Sequence, residues 1–165
     1  MPASSVLAVM LLAPLTLATP VKKAATTGPH IAGTYQLIYR MLPDGKAMTG
    51  QDIQGMMTYT ATCRNLNVHW AEADGKAVSI SYICGYEFKN GEYCEHPMYW
   101  MQNNLGEPGL KYDVPANNGD CTKVTVNGKK TTFALSGEPP VVTFEGDSLT
   151  AVAEGQFVDH WAKVK

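Results

Sequence analysis

After residue 30 the apolar positions recur every second residue in short runs, the pattern of half-buried β-strands. The first run, residues 33–40, puts Tyr35, Leu37 and Tyr39 on one face together with Met41. Thr34, Gln36 and Arg40 lie on the other, and Ile38 alone is out of step. Further strands are predicted over 56–62, 66–71, 77–88 and 93–101. A short one follows at 110–114, then 122–126, 129–135, 141–145, 148–152 and 156–164. Pro43-Asp44-Gly45, Asn90-Gly91, Asn127-Gly128 and Gly146-Asp147 mark the turns between them. No stretch after residue 20 sustains a 3.6-residue apolar period, so the pattern predicts an all-β, antiparallel fold of eight or more strands, a sandwich or a barrel.

The apolar face also sets one register. A two-residue turn at Asp74-Gly75 would place Leu66, Val68 and Trp70 beside Ile83, Ser81 and Ser79. A three-residue loop with Gly75 as a left-handed bulge places them beside Tyr82, Ile80 and Val78, keeps one apolar face continuous and pairs Glu72 with Lys76. The second register is the expected one. Pro97 cannot donate to a ladder, which implies an edge, a bulge or a break at that point. Residues 102–120, rich in Asn, Gly and Pro, read as a long loop around the short strand at 110–114.

The N-terminus departs from this pattern. Residues 6–17 are almost continuously apolar, too short for a transmembrane helix of about 20 residues, and interrupted by Pro14. With the small residues around Ala18 they read as a signal peptide over 1–18, followed by a flexible lead-in over 19–30 and one domain over 31–165. Four cysteines, Cys63, Cys84, Cys94 and Cys121, agree with export to a secreted or periplasmic location as two disulfides. Opposite pairing in the expected register favours Cys63–Cys84 with Cys94–Cys121. Cys84–Cys94 across the Asn90-Gly91 turn is the alternative. No Cys-x-x-Cys occurs, so a structural metal site is not expected.

Composition narrows the partners. The 165 residues are 45% hydrophobic and 17% charged, with a net charge of -2. Lys22-Lys23 and Lys129-Lys130 are only pairs, so there is no basic surface to hold nucleic acid. The expectation is a monomer with no membrane span and no cofactor.

Several short motifs in order, Gly33-Thr34-Tyr35-Gln36-Leu37, Asp44-Gly45-Lys46, residues 55–60, residues 144–150 and His160-Trp161, resemble the lipocalin-like domain family across roughly residues 31–165. The resemblance implies a small meandering antiparallel β-barrel of the calycin type, with an interior able to hold one small apolar ligand. Two positions differ from lipocalins proper: Tyr35 stands where the family's Gly-x-Trp has Trp, and Lys163 where an Arg near the last strand stacks on that Trp.

The candidate chemistry is aromatic. Tyr35, Tyr39, Met57, Tyr59, Trp70, Tyr82 and Tyr86 are expected to face inward, and His96 and Trp100 on the next strand complete the ligand-binding set. Such residues either fill a core or line a cavity with hydroxyls to orient a ligand. His96 is the candidate catalytic histidine, a general base for an isomerase or cyclase, with a Tyr hydroxyl as the other group that could transfer the proton. Its neighbour Glu95 points to the opposite face, so the two are not a dyad. The leading expectation is a small-molecule binder. The alternatives are an isomerase or cyclase for a hydrophobic metabolite, and a filled barrel with a structural or interaction role.

Overall fold

A computed structural model describes residues 29–72, 74–103, 108–113 and 119–165. The expected signal peptide and most of the lead-in lie outside them, as does part of the long loop. The described residues contain thirteen strands and no helix. They are β1 (Gly33–Met41), β2 (Ala47–Thr49), β3 (Ile53–Tyr59), β4 (Cys63–Ala71), β5 (Ala77–Lys89), β6 (Glu92–Asn103) and β7 (Leu110–Asp113). The second half holds β8 (Cys121–Lys123), β9 (Thr125–Asn127), β10 (Lys130–Ala134), β11 (Val141–Glu145), β12 (Ser148–Ala153) and β13 (Phe157–Lys163). Among the described residues no helix is long and apolar enough to cross a membrane.

The strands form one curled antiparallel sheet, a half-barrel, in the order β7-β6-β5-β4-β3-β1-β13-β12-β11-β10-β9. Sequence neighbours are mostly spatial neighbours, as in a meander. β1 is the exception and joins the two halves: its start pairs with β3, its end with β2, and its whole length with β13. Residues 121–127 serve both edges of the curl. β8 pairs with β6, β9 pairs with β10, and the Thr122 hydroxyl donates to the Ala134 carbonyl. Cys94 and Cys121 lie directly opposite in the β6–β8 ladder and are disulfide-bonded.

The β4–β5 register is the expected one, with Leu66 opposite Tyr82, Val68 opposite Ile80 and Trp70 opposite Val78. Glu72 N–H donates to the Lys76 carbonyl, and Gly75 holds the left-handed φ of 82° that closes the loop. Two bulges break the period elsewhere. At Pro97 the β5–β6 ladder shifts by one residue and Met98 is left half-exposed. In β1 the shift falls at Ile38, which is 49% exposed. One inserted residue reverses the facing of everything after it. Arg40 therefore turns inward and is buried, while Tyr39 turns outward and stacks on His160 with ring centroids 4.3 Å apart. The expectation that Tyr39 faces inward is corrected on that ground.

The concave side is filled at one end. Tyr35, Tyr59, Tyr86, Tyr93, Phe133 and Phe144 pack edge-on or stacked with centroids 4.2–5.7 Å apart. Their polar tips are mostly satisfied within the same end: Tyr35 donates to the Ile31 carbonyl and Tyr86 to that of Thr60. Lys163 is the register partner of Tyr35, donates to the Ala32 carbonyl, and holds its ammonium 5.8 Å from the Tyr35 ring.

Candidate functional site

Beyond the aromatic plug the concave side is hollow. A cavity of about 1050 Å³ lies between the inner faces of β1–β6, the residue 135–140 loop and β12–β13. Met57, Leu66, Val68, Trp70, Ile80 and Tyr82 supply one wall, each on the face fixed by the β3–β4–β5 register. Trp100 joins them beside Tyr82, and Phe157 and Trp161 of β13 also line the cavity. Gly55 makes room for Trp161: a Cβ there would sit 2.9 Å from the indole ring and 3.3 Å from Leu37 Cβ. Lys46, Asp52, Glu72 and Gln156 are exposed and ring the mouth.

Two arginines reach into this largely apolar space, and each is held by carboxylates. Arg40 Nε and Nη2 donate to Asp159 Oδ1 and Oδ2 at 2.6 and 2.8 Å. Its guanidinium carbon lies 3.8 Å from the Phe157 ring centroid and 5.0 Å from that of Trp70. Burial pushes the Asp159 carboxyl above its ordinary pKa, while the bonds and charge of Arg40 pull it back.

The second cluster is deeper. Arg64 and Glu95 are both fully buried and joined by an Nη1–Oε1 bond of 2.9 Å. Arg64 also forks onto Glu138 of the 135–140 loop, at 2.6 and 3.0 Å. Tyr82 and Tyr93 donate their hydroxyls to the two oxygens of Glu95, at 3.1 and 2.6 Å. Burial opposes the Arg64 charge, but Glu138 and its other neighbours outweigh it and keep the guanidinium protonated. Burial raises the pKa of Tyr82 and Tyr93, with the Glu95 charge acting in the same direction, so both remain hydrogen-bond donors. The Cys84 thiol, opposite Arg64 in the ladder, is pushed up to about 12, mainly by burial. Arg64 Nε and Trp161 Nε1 are buried donors on the cavity lining that have no protein partner.

The sequence-derived candidates separate into three groups. Met57, Trp70, Tyr82 and Trp100 line the cavity. Tyr35, Tyr59 and Tyr86 belong to the aromatic plug. Tyr39 and His96 leave the concave side: His96 alternates with the inward Glu95, is half-exposed, and lies with Nε2 3.8 Å from Glu87 Oε1. As a catalytic candidate it is therefore remote from the cavity.

The disulfide expectation holds for Cys94–Cys121 and fails for Cys63–Cys84, which are free thiols. Cys84 does lie opposite Arg64, as expected, but Arg64 and Cys84 both point inward. Cys63 is one residue away on β4 and so faces the convex side. Glu92 lies beside the Cys94 and Cys121 sulfurs, yet sulfurs joined to each other offer no thiolate to a metal.

Arg40, Arg64, Glu95, Glu138 and Asp159 are the site residues that the alternation pattern missed. Arg64 fell between the strands predicted over 56–62 and 66–71, and Arg40 sat on the polar face until the bulge reversed it. A search of protein-family models, curated proteins and solved structures finds no match to this chain.

Proposed function

We propose that this protein binds a small, largely apolar molecule in the hollow half of its curled sheet, as a lipocalin-like carrier or sequestering protein. The observation that carries the reading is the cavity itself. Its volume, about 1050 Å³, suits one lipophilic metabolite, and its walls combine Trp, Tyr, Met and aliphatic side chains with a few fixed polar groups. The lipocalin-like part of this reading rests on the motifs Gly33-Thr34-Tyr35-Gln36-Leu37, Asp44-Gly45-Lys46 and His160-Trp161, with Tyr35 and Lys163 departing from the Trp and Arg of lipocalins proper. The Cys94–Cys121 disulfide favours a secreted or periplasmic site of action.

The enzymatic alternative loses its histidine, since His96 is on the other side of the sheet. The tyrosine hydroxyl nearest the cavity, Tyr82, is bound to Glu95 and is held neutral. A binding role accounts for both without invoking turnover.

A thermal-shift screen against lipophilic metabolites tests this. A ligand present at about 100 times its Kd adds roughly 2.7 kcal/mol, a rise in melting temperature of several degrees for a chain of this size. If no member of a panel spanning neutral, cationic and anionic lipophiles raises the melting temperature, the binding reading is wrong.

A further inference from the structure

The lining of the cavity holds hydrogen-bond donors for which the protein supplies no acceptor. We propose that the occupant is a neutral lipophile of the carbonyl class, a ketone or an ester, whose oxygen is received by the N–H donors of Trp161 and Arg64. The inference rests on the binding role proposed above and names the chemistry of its ligand.

Buried N–H groups in folded proteins are nearly always paired, because a donor that loses water and gains no acceptor is destabilising. Among the described residues three buried side-chain polar atoms have no partner: the Tyr59 hydroxyl, Arg64 Nε and Trp161 Nε1. Tyr59 belongs to the aromatic plug, whereas Arg64 and Trp161 line the cavity. Arg64 is fully buried and Trp161 is 4% exposed. Trp161 sets its Cζ3–Cη2 edge toward Gly55, so Nε1 lies on the opposite edge of the ring. Arg64 is anchored through Nη1 and Nη2 to Glu95 and Glu138, which fixes the direction of Nε. Arg40 adds to the surplus of donors: it spends Nε and Nη2 on Asp159 and leaves Nη1 unbonded among the described residues.

The buried carboxylates are not orphaned in this way. Both oxygens of Asp159, of Glu138 and of Glu95 already accept at least one bond. What this interior lacks is an acceptor, and one carbonyl oxygen supplies it. Charge selects a neutral one. Glu138 and Asp159 line the same space, and Glu95 is bonded to Arg64. A ligand carboxylate would bury a further negative charge among them, whereas a carbonyl accepts the same bonds at a far smaller desolvation cost. The remainder of the ligand meets Met57, Leu66, Val68 and Ile80, which ask only for an apolar body.

The test compares three probes of similar shape, 2-acetylnaphthalene, 2-isopropylnaphthalene and 2-naphthoate, by displacement of the dye N-phenyl-1-naphthylamine at neutral pH. The proteins are the wild type, Trp161→Phe and Arg64→Lys. Phe keeps an aromatic ring without the N–H, and Lys keeps a cation for Glu95 and Glu138 without Nε. The isopropyl probe has the ketone's shape and no acceptor, so the ratio of their dissociation constants separates the hydrogen bond from any change in packing. In at least one variant that ratio should move about five- to tenfold against the ketone. In the wild type 2-naphthoate should bind more weakly than the ketone. An unchanged ratio in both folded variants, or 2-naphthoate binding tighter than the ketone, overturns the inference while leaving the binding role intact. Should the variants fail to fold, the carbonyl stretch of 2-acetylnaphthalene bound to the wild type decides. A frequency below its value in heptane is expected, and an unshifted band overturns the inference. Failure of the dye and all three probes to bind is a failure of the binding role itself.

Discussion

Arg64 shows how much of the site depends on single side chains. It is fully buried, its partners Glu95 and Glu138 lie 31 and 74 residues away, and it ties the β6 strand to the 135–140 loop. Arg64→Ala leaves Glu95 buried without its cation, and a loss of about 3–5 kcal/mol is expected by denaturant unfolding. Glu138→Gln, at a partly exposed position with Glu95 still in place, should cost far less. The free thiols give a second check. Cys84 is buried with its pKa at about 12, whereas Cys63 is partly exposed on the convex side. A disulfide-exchange thiol reagent at pH 8 should modify one cysteine quickly in the native protein and a second only after unfolding. Alkali supplies a third. The pKa values of Tyr35, Tyr59, Tyr82, Tyr86, Tyr93 and Cys84 are all raised, burial being the largest cause in each. A raised folded-state pKa contributes stability below the unfolded values, near ~10 for Tyr and ~8.5 for Cys, and that stability is lost as pH rises above them. The melting temperature should therefore fall between about pH 9 and 12, with tyrosinate absorbance appearing together with unfolding. The inward tyrosines Tyr35, Tyr59, Tyr82 and Tyr86 were legible from the alternation, whereas the roles of Arg64, Glu95 and Glu138 were not. Arg and Glu are expected outside, and their pairing depends on contacts that no local pattern encodes.

Elements were far more legible than residues. The β4–β5 register followed from keeping one apolar face continuous, and Pro97 announced the bulge beside it. The β1 bulge was harder to read. Ile38 looked like a single exception to alternation, whereas it is the inserted residue that turns Arg40 inward and Tyr39 outward. Deleting Ile38 removes the extra residue yet leaves Leu37 opposite Trp161, Tyr39 opposite His160 and Arg40 opposite Asp159, so Arg40 stays inward and Asp159 stays paired. The deletion should therefore cost well below the ~3–5 kcal/mol of a broken buried ion pair, measured as the shift of the denaturant midpoint. A polar substitution of the half-exposed Ile38 that keeps the residue count should stay within about 0.5 kcal/mol. The strap over β6 gives another element-level expectation. Cys94–Cys121 closes a separation of 27 residues, worth about 3.5 kcal/mol by loop-closure entropy. Cys94→Ser with Cys121→Ser should therefore lower stability by about that amount. The other expected disulfide failed because the strand period puts Cys63 and Cys84 on opposite faces, a condition that opposite pairing alone does not test.

At the level of the whole molecule, one concave face is divided between a solid end and a hollow one. The all-β, antiparallel character was readable from turn chemistry and the absence of a helical period. The division was not. Tyr35, Tyr59 and Tyr86 obey the same alternation as Trp70 and Tyr82. What separates them is where neighbouring strands bring Tyr93, Phe133 and Phe144 close enough to fill the space. The claim that the hollow end receives a ligand is tested most directly by titrating the neutral apolar dye N-phenyl-1-naphthylamine into the wild type and into Ala151→Phe. Ala151 lines the cavity, and a phenyl ring there occupies its volume. The account predicts a saturable, one-site rise in dye emission in the wild type that is lost in the folded variant. No saturable response, or the same response in both proteins, would contradict it.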